Sequence, residues 1–337
     1  MPLVSIILLN FNGAKYSNLW KSLFYLDYPN YEIIFVDNGS SDNSDELFKK
    51  MVYKHSDKKR IKIEIIKLEK NVGYSKANNI GIKKAKGEYI VLLSNDIEVD
   101  RYWLKNMINF LEKNKDVGIA QPIMFNYFER DKYDITFGFM NVIGNIFSSI
   151  DVIPEHLLKN PFEVFFCEGA SMFIKREVIQ KVGYLFDEDY FMYYEDVDFC
   201  WRARKIGYKS YVVPTSVIYH IRSGTINKKK IDVNFYQSLF IRNKLITLFR
   251  NYTPVESIKY IPISLIFTLF EAMINIVLYK NPRNCLNIIN GILAFFRQIP
   301  KEIRKKRLQE PREKNLIIPL SKSFRLMKKK FKSKIKV

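Results

Sequence analysis

The chain has 337 residues, 27% charged and 47% hydrophobic, which excludes a disordered polymer and allows one large domain with an appendage. The formal charge is +20, yet residues 301–337 hold 15 Lys or Arg against 3 Glu, a net +12 that leaves +8 for the first 300. Cys167, Cys200 and Cys285 are far apart and lack CxxC spacing, which argues against a disulfide framework or a zinc site and fits a reducing compartment.

The first 120 residues alternate strand and helix patterns. Met1-Pro2 leads straight into an apolar run with no basic n-region, so no secretory signal is expected and the bulk should face the cytoplasm. Residues 3–9 are continuously apolar, as for a strand buried on both faces. Residues 16–26 have helical spacing that Tyr28-Pro29-Asn30 breaks. A second strand, 32–36, ends at Asp37-Asn38-Gly39-Ser40-Ser41-Asp42. A helix to residue 53, a strand at 61–68 and a helix at 74–86 follow. The strand 89–93 then runs into Ser94-Asn95-Asp96-Ile97-Glu98. Such repeated βα units predict an α/β fold with a mostly parallel central sheet flanked by helices.

From about 121 to 163 no periodic pattern stands out. A strand at 169–175, helices at 176–182 and 196–206, a short strand at 209–213 closed by Pro214 and a helix at 233–250 are expected next. Residues 260–279 are apolar over about the length that crosses a bilayer, interrupted by Glu271 and Asn275. A second apolar segment, 285–299, is too short for a span, and the basic tail follows at once. That order predicts a hairpin or interfacial pair on an anionic membrane surface; the alternative is two core helices with a solvated charged end.

Chemistry-bearing residues gather where strands end and helices begin. Asp96 and Glu98 sit on the elbow after the fourth strand, where carboxylates can hold a divalent cation against a phosphate or be a solvated turn. Asp37 can accept from a ribose or base edge, or cap its own loop. Asn10-Phe11-Asn12-Gly13 is not GxGxxG, and no P-loop is present. Residues 71–81 open a helix with Gly73 and repeated amides; they fit a phosphate at a helix N-terminus or a plain capped start. Glu195, Asp196 and Asp198 begin another helix beside aromatics, so one of them can be a general base for an alcohol. Arg202 and Arg204 can be ion-pair partners or phosphate ligands, and His220 lies on a polar loop that could complete a metal site.

Taken in order, Val4 to Gly13, Tyr28 to Asp42, Asn71 to Gly81, Leu92 to Asp96, Glu168-Gly169-Ala170, Tyr194 to Cys200 and His220 with Gly224 resemble the family 2 glycosyltransferases, in particular the rhamnosyltransferase-like branch. The resemblance implies a GT-A-type fold, a nucleotide-diphosphate sugar donor, a divalent cation (Mg²⁺ or Mn²⁺) and inversion at the anomeric carbon. It implies a nucleotide-sugar site of Asn10, Asn12, Asp37, Asn71, Gly73, Asn79 and Asn95. Asp96 and His220 inherit the metal role, with Ser94 in place of the first acid of the usual Asp-x-Asp. Asp196, beside Glu195, becomes the catalytic base, and Glu168, Gly169 and Ala170 border the acceptor. Glu98 becomes a solvated loop residue.

The expected organisation is a catalytic domain over 1–225, a helical extension over 226–258, membrane-associated helices over 259–299 and a basic tail over 300–337. The expected acceptor is a saccharide or lipid-linked glycan of cell-surface polysaccharide or glycolipid synthesis, at the cytoplasmic face of the membrane. A polyprenyl-phosphate sugar synthase is the nearest alternative. A nucleic-acid-binding protein is a more distant one, because the positive charge lies behind apolar segments where lipid is the more natural partner.

Overall fold

A computed structural model describes residues 1–55, 61–222, 233–277, 282–305 and 316–322. Its first strand, β1 (Val4–Asn10), is buried along its whole length. Ile6 and Leu8 point into one apolar cluster with Phe35 and Phe48, while Ile7 and Leu9 join another with Val36, Ala77 and Leu92. A strand covered on both faces needs a near-continuous apolar run, which this segment supplies apart from Ser5, whose buried hydroxyl donates to Glu32 at 2.7 Å. The strands β2 (Tyr31–Asp37), β3 (Lys62–Lys67) and β4 (Tyr89–Ser94) join it in parallel, in the order β3-β2-β1-β4.

The helix expected over 16–26 is a short α1 (Ser17–Trp20) between two 3₁₀ turns. The apolar spacing there still buries Leu19, Trp20, Leu23 and Phe24, so burial is achieved without a continuous α-helix. The helix α2 (Ser44–His55) packs on the Phe35 face, and α3 (Tyr74–Lys84) on the Ile7 face.

Beyond β4 the sheet turns mixed. Along the chain come β5 (Ile97–Val99), α4 (Trp103–Lys113) and β6 (Val117–Asn126). The stretch without a periodic pattern forms a hairpin of β7 (Phe137–Asn141) and β8 (Ile146–Ser148), then α5 (Ser149–Val152) and β9 (Phe162–Val164). The strand β10 (Ser171–Lys175) inserts antiparallel between β4 and β6. After α6 (Arg176–Val182) and α7 (Glu195–Lys205), β11 (Lys209–His220) pairs parallel with β6 and antiparallel with β5 and β9. The strands β1 to β4, β6 and β11 all point one way, so the central sheet is mostly parallel with β5, β9 and β10 reversed.

One expected boundary is corrected. The strand expected to close at Pro214 continues to His220, because the register slips between Val213 and Val217 and Pro214 falls in that irregularity. A proline there interrupts no ladder bond, so the strand tolerates it.

Three helices follow: α8 (Val233–Asn251), α9 (Pro254–Val277) and α10 (Pro282–Lys305). A last short strand, β12 (Ile317–Ile318), pairs with β7. Ile241, Leu245 and Leu248 of α8 belong to the same cluster as Ile7 and Leu92, so the core continues from the sheet into the helical extension. The helix α9 is also tied to the body: Ser264 Oγ donates to the Ile143 carbonyl and Lys244 Nζ to Thr268 Oγ1, both at 2.8 Å. The expected boundary at 225–226, Gly224, residues 278–279 and the tail beyond 322 lie outside the described residues.

Candidate active site

Two strand pairings assemble the site. The register of β10 against β4 sets Ser171 opposite Leu93, and the Ser94 amide donates to the Ala170 carbonyl at 2.9 Å. Glu168, Gly169 and Ala170 are thereby brought beside the elbow after β4. The register of β11 against β5 sets His220 opposite Ile97, and the Ile221 amide donates to the Asp96 carbonyl at 3.1 Å. His220 reaches Asp96 only because β11 runs on past Pro214.

A cavity of about 530 Å³ opens in front of this junction, lined by Ser94, Glu168, Gly169, Ala170, Glu195, Asp196, Arg222 and an aromatic wall that includes Phe137, Tyr193 and Tyr194. A smaller one of about 60 Å³ adjoins it through Ser94, Tyr74 and Met192, and is lined further by Asn38, Asn71 and Asn95. Tyr74 fixes the border between them, its hydroxyl donating to the Gly169 carbonyl at 2.6 Å.

Asp196 stands at the first turn of α7 with its side chain on the larger cavity. Its Oδ2 accepts from the Gly169 amide at 3.0 Å and its Oδ1 from the Val197 amide at 2.8 Å. Burial disfavours the charged form and outweighs these two bonds, so the carboxyl is pushed up to about 6. That suits a base working near neutral pH. Glu195 is more deeply buried and its Oε2 has no hydrogen-bond partner. Burial, reinforced by the Asp196 charge, pushes its carboxyl well above the usual range. Asp198 faces away and pairs with Arg202 at 2.9 Å, while Arg204 pairs with Glu163 at 2.8 Å. Both arginines are therefore ion-pair partners.

Asp96 and His220 form the expected pair, with His220 Nε2 3.3 Å from Asp96 Oδ1. The other ring nitrogen, Nδ1, lies 3.4 Å from Oδ2 of Asp134, a residue the sequence reading missed. Burial works against a charge on the imidazole, but Asp134 and Asp96 outweigh it and push His220 up to about 9. Arg222 closes the cluster, its Nε 2.7 Å from Asp134 and its Nη1 3.2 Å from Glu168. A carboxylate and an imidazole about 3 Å apart match two adjacent positions on one octahedral cation, and these are donor types that Mn²⁺ and Mg²⁺ accept. Among the described residues no group of three or more His, Cys, Asp or Glu side chains could hold a metal. Asp96 and His220 would be the two protein donors to such a cation, and the imidazole would have to give up a proton to serve as one. Glu98 is paired with Arg130 at 2.8 Å, apart from this cluster, so Asp96 is the one carboxylate of the elbow beside His220.

The amides expected at the nucleotide divide into two groups. Asn71 and Asn95 line the smaller cavity, and so does Asn38, which the sequence reading had left in a turn. Asn38 and Asn71 hold each other at 3.1 Å, and the Gly73 amide donates to Asn71 at 2.9 Å. Gly73 has φ of 88°, and a Cβ there would lie 2.5 Å from the Phe191 ring, so the close approach requires glycine. Asn10 lines neither cavity. It is a fully buried hub that donates to Asp37 at 2.9 Å and to Ser44 at 2.8 Å and accepts from Asn95 at 2.8 Å. Asn12 accepts from the Ser41 amide at 2.9 Å and braces the same loop. Asp37 is equally buried, bonded to Asn10 and Ser40, and its Oδ2 has no hydrogen-bond partner. Asn79 is redirected: its amide donates to the Phe186 carbonyl at 2.8 Å and accepts from the Phe186 amide at 3.3 Å. Asn10, Asn12 and Asn79 thus brace the site's walls, through side-chain bonds to backbone and neighbouring loops.

A family model described as Glycosyl transferase family 2 matches residues 5–183. The chain belongs to this family. It is 25% identical over 276 residues to the low-salt glycan biosynthesis hexosyltransferase Agl10 of Haloferax volcanii, covering 79% of this chain and 82% of that protein. It is 26% identical over 216 residues to the dTDP-rhamnosyl transferase RfbF of Shigella flexneri, covering 61% and 70%. Among solved structures, TarS 1-349 of S. aureus aligns with a TM-score of 0.55 at 17% identity, covering 86% of this chain and 80% of that one. The mannosyltransferase PcManGT of Pyrobaculum calidifontis, solved with GDP-Man and Mn²⁺, aligns with a TM-score of 0.55 at 14% identity, covering 88% and 87%. These likenesses establish the GT-A fold, and family 2 membership makes the chain a glycosyltransferase.

Proposed function

We propose that this glycosyltransferase moves a sugar from a nucleotide-diphosphate donor to a hydroxyl of a saccharide or lipid-linked glycan, with inversion. The observation that carries this reading is Asp196, held on the larger cavity by the Gly169 amide, with its carboxyl raised toward neutral pH. The acceptor hydroxyl gives its proton to an Asp196 oxygen as its own oxygen bonds to the anomeric carbon. The bond from that carbon to the diphosphate breaks in the same displacement, through an oxocarbenium-like sugar. A single displacement inverts the centre, so no protein nucleophile is needed.

Asp96 and His220 would hold Mg²⁺ or Mn²⁺, which when bound neutralises charge on the departing diphosphate. Asn38, Asn71 and Asn95 on the smaller cavity suit the hydrogen-bonding edges of a nucleotide, and the buried free oxygen of Asp37 lies at the end of the neighbouring strand. The aromatic wall of the larger cavity suits the apolar face of a sugar ring. The names of the relatives, a glycan-biosynthesis hexosyltransferase and a dTDP-rhamnosyl transferase, support a role in glycan or polysaccharide synthesis.

The same reading sets the enzyme on an anionic membrane at its cytoplasmic face. Ile266, Phe270 and Met273 of α9 and Leu286, Leu293 and Phe296 of α10 are exposed, and the sequence continues into the basic tail. The inner face of α9 is bonded to the body, which favours a helix pair lying on lipid over a span.

The test is purified full-length protein with UDP-, GDP- and dTDP-sugars, a saccharide and a polyprenyl phosphate as acceptors, and Mg²⁺, Mn²⁺ or EDTA. Transfer to the saccharide with inverted anomeric configuration and loss in EDTA supports the reading. Retention of configuration, or transfer to the lipid phosphate alone, refutes it.

A further inference from the structure

Three non-glycine residues within four positions carry left-handed backbone just before α7: Phe191 at φ 61°, Tyr193 at 73° and Tyr194 at 67°. Side chains of this size avoid that region, and such a turn persists only where its surroundings over-determine it. Part of the restraint comes from α3 and the β7–β8 hairpin, with the Ser75 amide donating to the Phe191 carbonyl at 3.1 Å and the Tyr194 hydroxyl to the Gly144 carbonyl at 2.7 Å. The larger part comes from the middle of α8. Asn243 is fully buried there, and its Nδ2 donates to the carbonyls of Tyr190 at 2.9 Å, Met192 at 2.8 Å and Tyr193 at 2.8 Å. Its Oδ1 accepts from Arg242 Nε at 2.9 Å and Nη2 at 2.7 Å, which fixes the direction in which the amide points. Arg242 Nη2 also donates to the Asp189 carbonyl at 2.8 Å.

An asparagine in a helix interior among apolar neighbours is a poor choice for stability alone. It is a weaker helix former than leucine, and burying its amide is costly without partners. All three carbonyls that its Nδ2 meets belong to one turn. That turn ends at Tyr194, the residue before Glu195, and so decides where α7 starts and which way Asp196 faces.

We propose that Asn243, oriented by Arg242, is a positioning residue for catalysis: it pins the carbonyls of the 190–193 turn so that Asp196 is presented to the cavity. The inference rests on the reading of Asp196 as the base. Asn243 lines neither cavity, so it has no direct part in binding the donor.

The test compares Asn243→Leu, which keeps volume and favours the helix, with Arg242→Lys and with Asp196→Asn as the reference for the base. Each is assayed for transfer with the nucleotide sugar that the wild type uses, for binding of the matching UDP, GDP or dTDP by calorimetry, and for the pH dependence of kcat. The expected result is a kcat about tenfold to a hundredfold lower in Asn243→Leu, with donor KM and nucleotide binding within about threefold of wild type. Arg242→Lys shows a smaller loss of the same kind. The acidic limb of the profile moves to lower pH in both, because a loosened turn admits water to Asp196. Wild-type kcat and pH limb in the folded variants, with Asp196→Asn inactive, overturn the proposal. So does a kcat loss matched by an equal loss of nucleotide binding. If Asn243→Leu does not fold, Arg242→Lys decides by the same split. Near-normal turnover in Asp196→Asn instead overturns the base assignment on which the proposal stands.

Discussion

The Gly169 amide donates to Oδ2 of Asp196 at 3.0 Å, so the loop entering β10 and the first turn of α7 meet on one carboxylate. This bond favours the ionised form, while burial opposes it more strongly and leaves the group near 6. A base must be deprotonated to accept a proton. Turnover is therefore expected to rise with pH through about 6 and to level off above it. A pH–rate profile of kcat in the wild type checks this, and a profile flat from pH 5 to 8 contradicts it.

Gly73 is the tightest point between the nucleotide-side loop and the turn before α7. Gly73→Ala places a Cβ 2.5 Å from the Phe191 ring at a φ of 88°, so the backbone must shift. The expected cost is about 1–3 kcal/mol, together with weaker binding of UDP, GDP or dTDP because Asn71 is held through the Gly73 amide. Thermal melting and calorimetry read the two effects separately.

Arg250 on α8 is fully buried and bonded to Glu302 of α10, with its Nη1 3.1 Å from Asp187. Arg250→Ala leaves buried carboxylates without their cation and should destabilise by about 3–5 kcal/mol. Replacing Arg250 and Glu302 together by Met and Leu should recover much of that loss, since Asp187 keeps Lys305 as a partner and Asp189 keeps Lys301 and Lys305. Chemical denaturation of both variants measures the difference. Equal losses in the single and double variants would falsify the account of this pair.

Much of the site was legible because its residues punctuate regular elements. Asp96 lies just past the end of a mostly apolar strand, Glu195 and Asp196 begin a helix, and Glu168 to Ala170 precede another strand; each break in periodicity is a local signal. Asp134 gave no such signal. It sits in the stretch without a periodic pattern, and it meets His220 through the pairing of β6 with β11, a relationship of register that no local pattern contains. The end of β11 was misplaced for a related reason: proline usually stops a strand, and only the register slip with β6 accommodates Pro214. Asn79 misled in the opposite direction. An asparagine at a helix start does need a partner, but the partner is the Phe186 backbone and not a ligand. Asn243 lies between Arg242 and Lys244 in a helix of mixed composition, where only the carbonyls it meets distinguish it from the other polar residues.

The exposed apolar faces of α9 and α10 predict binding to anionic vesicles that combines burial of side chains with attraction of the basic tail. Phe270→Asp on α9 should lower partition into phosphatidylglycerol vesicles about tenfold or more without changing turnover on a soluble acceptor. Raised salt should weaken wild-type binding as well. Vesicle co-sedimentation reads both, and unchanged partition in Phe270→Asp contradicts the docking face.

The base assignment is tested most directly by Asp196→Asn, assayed for sugar transfer and for nucleotide binding in the same preparation. A carboxyl raised to about 6 in the folded protein costs stability as pH climbs from its ordinary value through 6. The amide removes that cost but can accept from only one of the Gly169 and Val197 amides, so the two effects oppose each other and the variant should melt close to wild type at pH 7.5. The account predicts that it binds the nucleotide normally and loses transfer by about a thousandfold or more. A folded Asp196→Asn enzyme with turnover close to wild type would contradict the account at its centre.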